Sequence, residues 1–318
     1  MTSRPHDALF KWAFETPEDA AALLRELLPA GIREAIAWDT LDHEPGSFID
    51  RALSDRHNDL LFSARLRTGE PGLVFLLLEH QSTEDPAMPQ RMLSYQSRIW
   101  DRFRKERPGV RLPPIIGVLV SHAPGGWTVA RSFEELFDPD VLALPGLAAL
   151  MPRFSMIVLD LSGLSDGDLS ALPLAAFQKL ALWLLRDARD PERLLASFDA
   201  WTPVMLEVRR HQSGGDDLAV LFEYMFRVLG PVYWDTLHAK LHALSSDTEE
   251  IAMTIADWLE EKGRTRGRFE TLRDLLVYKF QTLDAASEAR LQAAPPEAID
   301  RYLQRLLTAD SLAAVFED

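Results

Sequence analysis

Apolar residues run without a break from Leu73 to Leu78, between Pro71-Gly72 and the polar Glu79-His80-Gln81-Ser82. A short apolar run with turn residues beside it predicts a strand buried on both faces. Upstream, Leu60-Leu61-Phe62-Ser63-Ala64-Arg65-Leu66 has strand character, and Arg67 to Gly72 has turn chemistry, so 58–82 is expected to form a hairpin. Asp85-Pro86 then predicts a helix to about Lys105. Met88, Met92, Tyr95, Ile99 and Phe103 recur at three- and four-residue steps and form one apolar stripe. Pro113 to Val120 and Met156 to Asp160 predict two further strands. Residues 5–28 predict helix, broken near Thr16-Pro17, where proline followed by Glu18-Asp19 suits a helix start.

Past Ser165 the texture changes. Helical periodicity dominates over 170–189, 191–210, 216–229, 247–262, 266–283 and 295–308, with Gly214-Gly215 and Gly230-Pro231 as punctuation. The expected architecture is α/β over 1–165, a buried sheet flanked by helices, and all-α over 166–318.

The chemistry gathers at the end of the apolar run. Glu79 and Gln81, two residues apart on a strand, project from one face, and His80 from the other. Asp59 precedes the first hairpin strand. It opposes Glu79 if Ala64 opposes Val74, and lies diagonal to it on the same face if Arg65 opposes Phe75. Any register pairing Asp59 with His80 separates the two acids. Two acids and a polar partner at a strand end can hold a divalent metal against a phosphate. The spacing alone equally leaves Asp59 and Glu79 as unrelated strand-end acids.

These residues give the chain a resemblance to the recombination-promoting nuclease family, Rpn or YhgA-like transposases, which is similar to the PD-(D/E)xK nuclease superfamily. His6-Asp7-Ala8-Leu9-Phe10-Lys11 looks like the family's opening, and Leu27-Leu28-Pro29 like the close of its first helical segment. Asp59-Leu60-Leu61-Phe62 and Leu78-Glu79-His80-Gln81-Ser82 look like its two acidic motifs. Arg91-Met92-Leu93-Ser94-Tyr95, Leu112 to Val120 and Leu159-Asp160-Leu161-Ser162 resemble the following helix and strands, so the likeness covers roughly 5–165 in order. Gly267 to Phe316 resembles a small helical segment of some bacterial relatives. There are departures. Ser121-His122-Ala123 stands where the family often has Tyr-His-Gly, Gln81 replaces the superfamily's lysine, and no helical acid matches the superfamily's glutamate, Glu18 and Glu26 being the options.

The resemblance implies a restriction-endonuclease-like mixed sheet in the 1–165 domain, with 166–318 as a helical assembly or accessory region. It implies a metal-dependent DNA endonuclease of little sequence specificity that promotes recombination. Asp59, Glu79 and Gln81 would be catalytic. Asp59, Glu79 and the His80 carbonyl would bind Mg²⁺, with Mn²⁺ as a substitute, since few oxygen donors suit that hard ion. Gln81 does not titrate, so it would orient water rather than act as a base. The rival expectation is a catalytically silent nuclease-fold protein that binds or regulates and assembles, as a homo-oligomer, through its helical half.

Charge and composition refine this. The net charge of −15 argues against adhesion to nucleic acid by the whole surface, so local cations must serve. Residues 91–107 hold six cations against two acids, and 262–273 hold five against one. Arg91, Arg98 and Arg102 follow the candidate site and share a helix face, so they are the expected DNA contacts. There are no cysteines, which removes thiolate chemistry and fits a cytoplasmic location. No stretch reads as a signal peptide or a bilayer span, so no membrane partner is expected. Of the eight histidines only His238 and His242 have helical i, i+4 spacing, and no His-Glu-x-x-His, Gly-x-Ser-x-Gly or Gly-rich phosphate loop occurs.

Overall fold

The computed structural model describes residues 5–44, 60–67, 73–210 and 214–244, together with much of 271–316. Chain contacts cluster into two units, Met1–Ser246 and Asp247–Asp318.

The first unit is built on a five-stranded mixed sheet in the order β1-β2-β3-β4-β5. The strands are β1 (Ile36–His43), β2 (Leu60–Leu66), β3 (Leu73–Gln81), β4 (Ile115–Ser121) and β5 (Ile157–Asp160). β1, β2 and β3 run antiparallel to their neighbours, whereas β3, β4 and β5 run parallel. β3 is the central strand, which is why its sequence is an unbroken apolar run: Leu76, Leu77 and Leu78 are fully buried from both sides.

One face of the sheet is covered by α4 (Met88–Glu106). Its stripe Met88, Met92, Tyr95, Ile99 and Phe103 packs on Leu61, Phe75, Leu77 and Leu119. The approach is close at Gly117, where a Cβ would meet the Met92 sulfur at 2.9 Å. Glycine there lets the helix descend onto β4. The other face takes α1 (Pro5–Phe14), which buries Leu9, Phe10, Ala13 and Phe14, and lays Phe10 on the His80 ring. Thr16 caps α2 (Pro17–Leu27) by accepting from the Asp19 amide, with proline in the first turn, so the break between the two helices has a clear cause. A short helix, α3 (Ala30–Ala35), leads into β1.

The helices after β5 continue in the same unit. They are α5 (Asp166–Ala171), α6 (Ala176–Asp187), α7 (Pro191–Arg209), α8 (Gly214–Leu229) and α9 (Trp234–Leu244). α1 packs against α6 and α8, and Gln178 on α6 donates to the Ala13 carbonyl at 3.2 Å. The change of texture at 165 is therefore a change of secondary structure along the chain, with α6 and α8 packed against α1 of the α/β part. α6 and α7 are joined by a buried ion network in which Asp187 receives Arg186 and Arg193.

In the second unit Leu272, Leu276, Leu291, Ile299, Tyr302, Leu306, Val315 and Phe316 form a core of their own. It includes α10 (Ala285–Gln292), α11 (Pro296–Leu306) and α12 (Leu312–Val315). The expected helix over 247–262 lies outside the described residues. Among those residues no helix is long and apolar enough to cross a membrane.

The mixed sheet flanked by helices and the helical region after it agree with the fold expected from sequence. Among the elements named above, β1, α3, α9, α10 and α12 went unanticipated.

Candidate active site

β3 ends in the middle of the sheet, where its parallel neighbour β4 ends beside it. Gln81 pairs in register with Ser121, and Ser121 with Asp160 of β5. Side chains here lie beyond the carboxyl ends of parallel strands, the usual place for a ligand crevice in an α/β sheet.

Alternation splits the strand end into two environments. Glu79 and Gln81 lie on the α4 face, with Phe75 and Leu77. His80 points to the α1 face. Glu79 is completely buried. Its Oε1 accepts from Gln81 Nε2 and from Arg91 Nη2, both at 2.7 Å. Gln81 Nε2 also donates to the His80 carbonyl at 2.9 Å. Arg91 comes from the first turns of α4 and donates its other nitrogen to Asp85 at 2.8 Å. Asp85 in turn accepts from the Ala87 amide at 2.9 Å, fixing the start of the helix. Glu79, Arg91 and Asp85 thus form a chain of charge from the strand end to the helix start. Sequence reasoning read Asp85 only as a helix start, although its place six residues before Arg91 was visible.

The β2–β3 register is Ala64 opposite Val74, continuing to Leu60 opposite Leu78. Of the two registers weighed from sequence, the described pairs are those with Ala64 opposite Val74. Asp59 itself lies outside the described residues. Among the described residues no group of three or more histidine or acidic side chains is arranged to hold a metal.

The other cations expected near the site lie along one flank of α4. Arg98 and Arg102 are half-buried, and Arg102 Nε pairs with Glu106 at 2.7 Å. Glu18 and Glu26, the helical acids weighed from sequence, are both exposed on α2. The acid of α1 that reaches the strand end is Asp7, whose Oδ1 lies 3.3 Å from His80 Nδ1 on the opposite face.

That face holds an aromatic and histidine cluster. The His80 ring stacks on His122 at 4.9 Å, and His6 meets His122 edge-on at 4.9 Å. His6 Nδ1 shares a 2.7 Å hydrogen bond with the Tyr224 hydroxyl of α8. Burial, with His80, His6 and Arg189 nearby, pushes His122 down to about 2, so it is neutral at ordinary pH. Burial likewise raises the Tyr224 phenol. The His80 side chain is thus engaged in packing, away from Glu79, as strand parity required. His6, His122 and Tyr224 are distant in sequence, and only tertiary packing brings them together.

The first unit is thus an α/β domain with a buried carboxylate, an amide and an arginine gathered at its central strand end. Residues 4–214 match the family described as "Putative transposase, YhgA-like", and the chain belongs to that family. It is 35% identical over 141 residues to the recombination-promoting nuclease RpnD of Escherichia coli O157:H7, a match covering 43% of this chain and 54% of that protein, about half its length. It is 26% identical over 277 residues to the inactive recombination-promoting nuclease-like protein RpnE of Escherichia coli strain K12, covering 87% of this chain and 88% of the relative. It is also 26% identical over 263 residues to the recombination-promoting nuclease RpnC of the same strain, covering 82% and 83%. No solved structure matches the chain. The relatives' names support a nuclease-family role, two of them being named nucleases and one an inactive nuclease-like protein.

Proposed function

We propose that the protein is a metal-dependent DNA endonuclease that promotes recombination, hydrolysing phosphodiester bonds with little sequence specificity. One observation carries the reading: a fully buried carboxylate, Glu79, at the carboxyl end of the central strand, held by Gln81 and Arg91. A buried acid is costly unless it is paired or holds a metal, and this one sits where a substrate crevice forms.

The donors suit Mg²⁺, which keeps several waters and takes only one or two protein carboxylates. Asp59, Glu79 and the His80 carbonyl would hold it. When bound it supplies Lewis-acid stabilisation of the phosphate and acidifies water. Gln81 commits its Nε2 to Glu79 and His80. That leaves its Oε1 to accept a hydrogen bond from the attacking water and orient it. Arg91 fixes the Glu79 rotamer through its 2.7 Å bond. Arg98 and Arg102 continue the cationic flank for the DNA backbone.

A second reading rests on Arg91 itself. Its 2.7 and 2.8 Å bonds to Glu79 and Asp85 neutralise the acid without a metal, as a silent member that binds and assembles would need. Nicking of supercoiled plasmid separates the two. Mg²⁺-dependent nicking that is lost in both Asp59→Ala and Glu79→Ala supports the nuclease. A purified wild-type protein that nicks with neither Mg²⁺ nor Mn²⁺ leaves the binding role.

A further inference from the structure

Two side chains that hold Glu79 each reach a second acceptor as well. Arg91 gives Nη2 to Glu79 Oε1 at 2.7 Å and Nη1 to Asp85 Oδ2 at 2.8 Å. Gln81 Nε2 divides between the same Glu79 oxygen and the His80 carbonyl. Both donors can therefore give up the carboxylate and keep an acceptor. Side-chain exposure rises outward along the ion chain, from 0% at Glu79 to 19% at Arg91 and 28% at Asp85. Asp85 is a fixed seat. The Ala87 amide donates to its other oxygen, Oδ1, at 2.9 Å, and the Met88 amide to its backbone carbonyl at 3.0 Å.

A buried carboxylate needs a positive partner. If a divalent cation also takes Glu79, two cations meet on one carboxylate where the dielectric is low, and they repel. A lysine could relieve this by losing its proton. Arginine cannot, because its guanidinium stays charged at ordinary pH. It has to move, and Asp85 already holds half of its fork. We propose that Arg91 is an exchangeable counterion: it yields Glu79 to an incoming divalent cation, closes both nitrogens on Asp85, and with Asp85 sets how tightly the site takes metal. The inference rests on the metal-dependent reading of Glu79 and adds to it the residue pair that controls the ion. Glu79 stays paired throughout the exchange, and a two-nitrogen grip on Asp85 is the geometry a guanidinium favours. Arg91 opposes the metal, whereas Asp85 favours it by receiving the arginine. Substitutions at the two positions should therefore act in opposite directions, which residues that only hold the fold together would not do.

Mn²⁺ titration of the full chain, with free Mn²⁺ counted by electron paramagnetic resonance, tests this. Arg91→Gln should bind Mn²⁺ about tenfold more tightly than wild type, and Asp85→Asn about tenfold more weakly. Asparagine still accepts from the Ala87 amide, so the helix start is kept. Glu84→Gln removes the same charge one residue away, from a side chain bonded to Thr128 instead of Arg91. It should stay within about twofold of wild type, as an exposed charge does. Saturating Mn²⁺ should also raise the melting temperature of Arg91→Gln more than that of wild type, because the ion supplies the counterion that the variant lacks. Should Arg91→Gln not fold, the comparison of Asp85→Asn with Glu84→Gln decides alone. Binding seen in Arg91→Gln but not in wild type would be the extreme of the expected effect. Glu79→Gln, in which this site should take no Mn²⁺, separates the two readings. If Mn²⁺ binds through Glu79 but Arg91→Gln is no tighter, or Asp85→Asn is no weaker than Glu84→Gln, the exchange is overturned and the nuclease reading stands. If neither wild type nor Arg91→Gln binds Mn²⁺, both fall.

Discussion

Among the described residues of the first unit two acids are completely buried, Glu79 and Asp187, and both are held by arginine. Asp187 closes α6. It receives Arg186 through both oxygens, at 2.7 and 2.6 Å, and Arg193 at 3.0 Å. Arg186, its side chain only 2% exposed, also pairs with Asp166, to which Trp201 donates. Every one of these partners comes from the helices α5 to α7. Glu79 instead closes a strand. Its oxygen is shared by a neutral amide from the same strand and by an arginine that a second acid, Asp85, also holds. Burial is thus common to both acids and does not distinguish them. What differs is that Asp187 lies within packed helices, whereas Glu79 lies at the mouth of parallel strands.

The largest effects should separate the two roles. Glu79→Gln keeps volume and an acceptor for Arg91 but removes the charge that would hold a metal. Mg²⁺-dependent plasmid cleavage should fall on the order of a hundredfold or more, while the urea midpoint stays close to wild type. Asp187→Ala should do the opposite. It leaves Arg186 buried beside only Asp166, and breaking such a network costs about 3–5 kcal/mol. Chemical denaturation measures that loss, and cleavage per folded molecule should be unchanged. If Asp187→Ala is as stable as wild type while Glu79→Gln unfolds, the assigned roles are reversed.

Gln81 sharpens the contrast. Gln81→Ala removes one donor to Glu79 and the acceptor proposed for water, but leaves Arg91 in place. Cleavage should drop about tenfold, less than for Glu79→Gln, because one hydrogen bond is worth roughly 1 kcal/mol. Single-turnover nicking rates report it. A loss as large as that of Glu79→Gln would make Gln81 an indispensable group.

The reverse side of the same strand end predicts a pH effect on stability. His122 titrates near 2 in the fold and near 6.5 when unfolded. Below pH 6.5 the unfolded chain therefore binds a proton that the folded chain does not, and stability falls as pH drops through that window. The slope from this one group approaches about 1.4 kcal/mol per pH unit. His122→Phe retains a ring for His80 to stack on and does not titrate. Denaturation at pH 6 and pH 4 should therefore show a shallower loss in the variant. Equal slopes would mean that His122 is solvated.

The comparison also explains what could be read in advance. The hairpin, β4, β5 and the α4 stripe were legible because each has an apolar pattern of one period, strict enough to survive without tertiary help. The shared face of Glu79 and Gln81, and the opposite facing of His80, followed from strand parity alone. β1 was not legible: it is an edge strand, mostly half-exposed, with a register shift between Ala37 and Asp42. Its residues Ala37-Trp38-Asp39-Thr40 carry no clean alternation. The Asp7, His6, His122 and Tyr224 cluster joins segments up to 218 residues apart, which no local pattern encodes. Arg91 lay between: its place just after the strand end was legible, and the geometry shows it in an ion pair with Glu79.

The smallest effect concerns how the acidic chain holds DNA, and it turns on the cost of freeing each arginine. Arg91 bonds to two carboxylates, one of them fully buried, so it is poorly placed to swing toward a phosphate. Arg102 pairs with Glu106 one turn away, with side chains 30% and 47% exposed. A surface pair of that kind is worth only about 0.3–0.5 kcal/mol, which a phosphate contact readily exceeds. Arg98 lies on the same flank. Neutralising both, as Arg98→Gln with Arg102→Gln, should lower the slope of log affinity against log salt by about 1.8, since each phosphate contact on duplex DNA contributes about 0.9. The loss should be uniform across sequences, because phosphate contacts carry no base information. Fluorescence anisotropy over a salt series measures it. Arg91→Gln should change the slope less than either of the other two and the melting temperature more. An unchanged slope in the double variant would transfer the DNA surface to the second cationic window, 262–273.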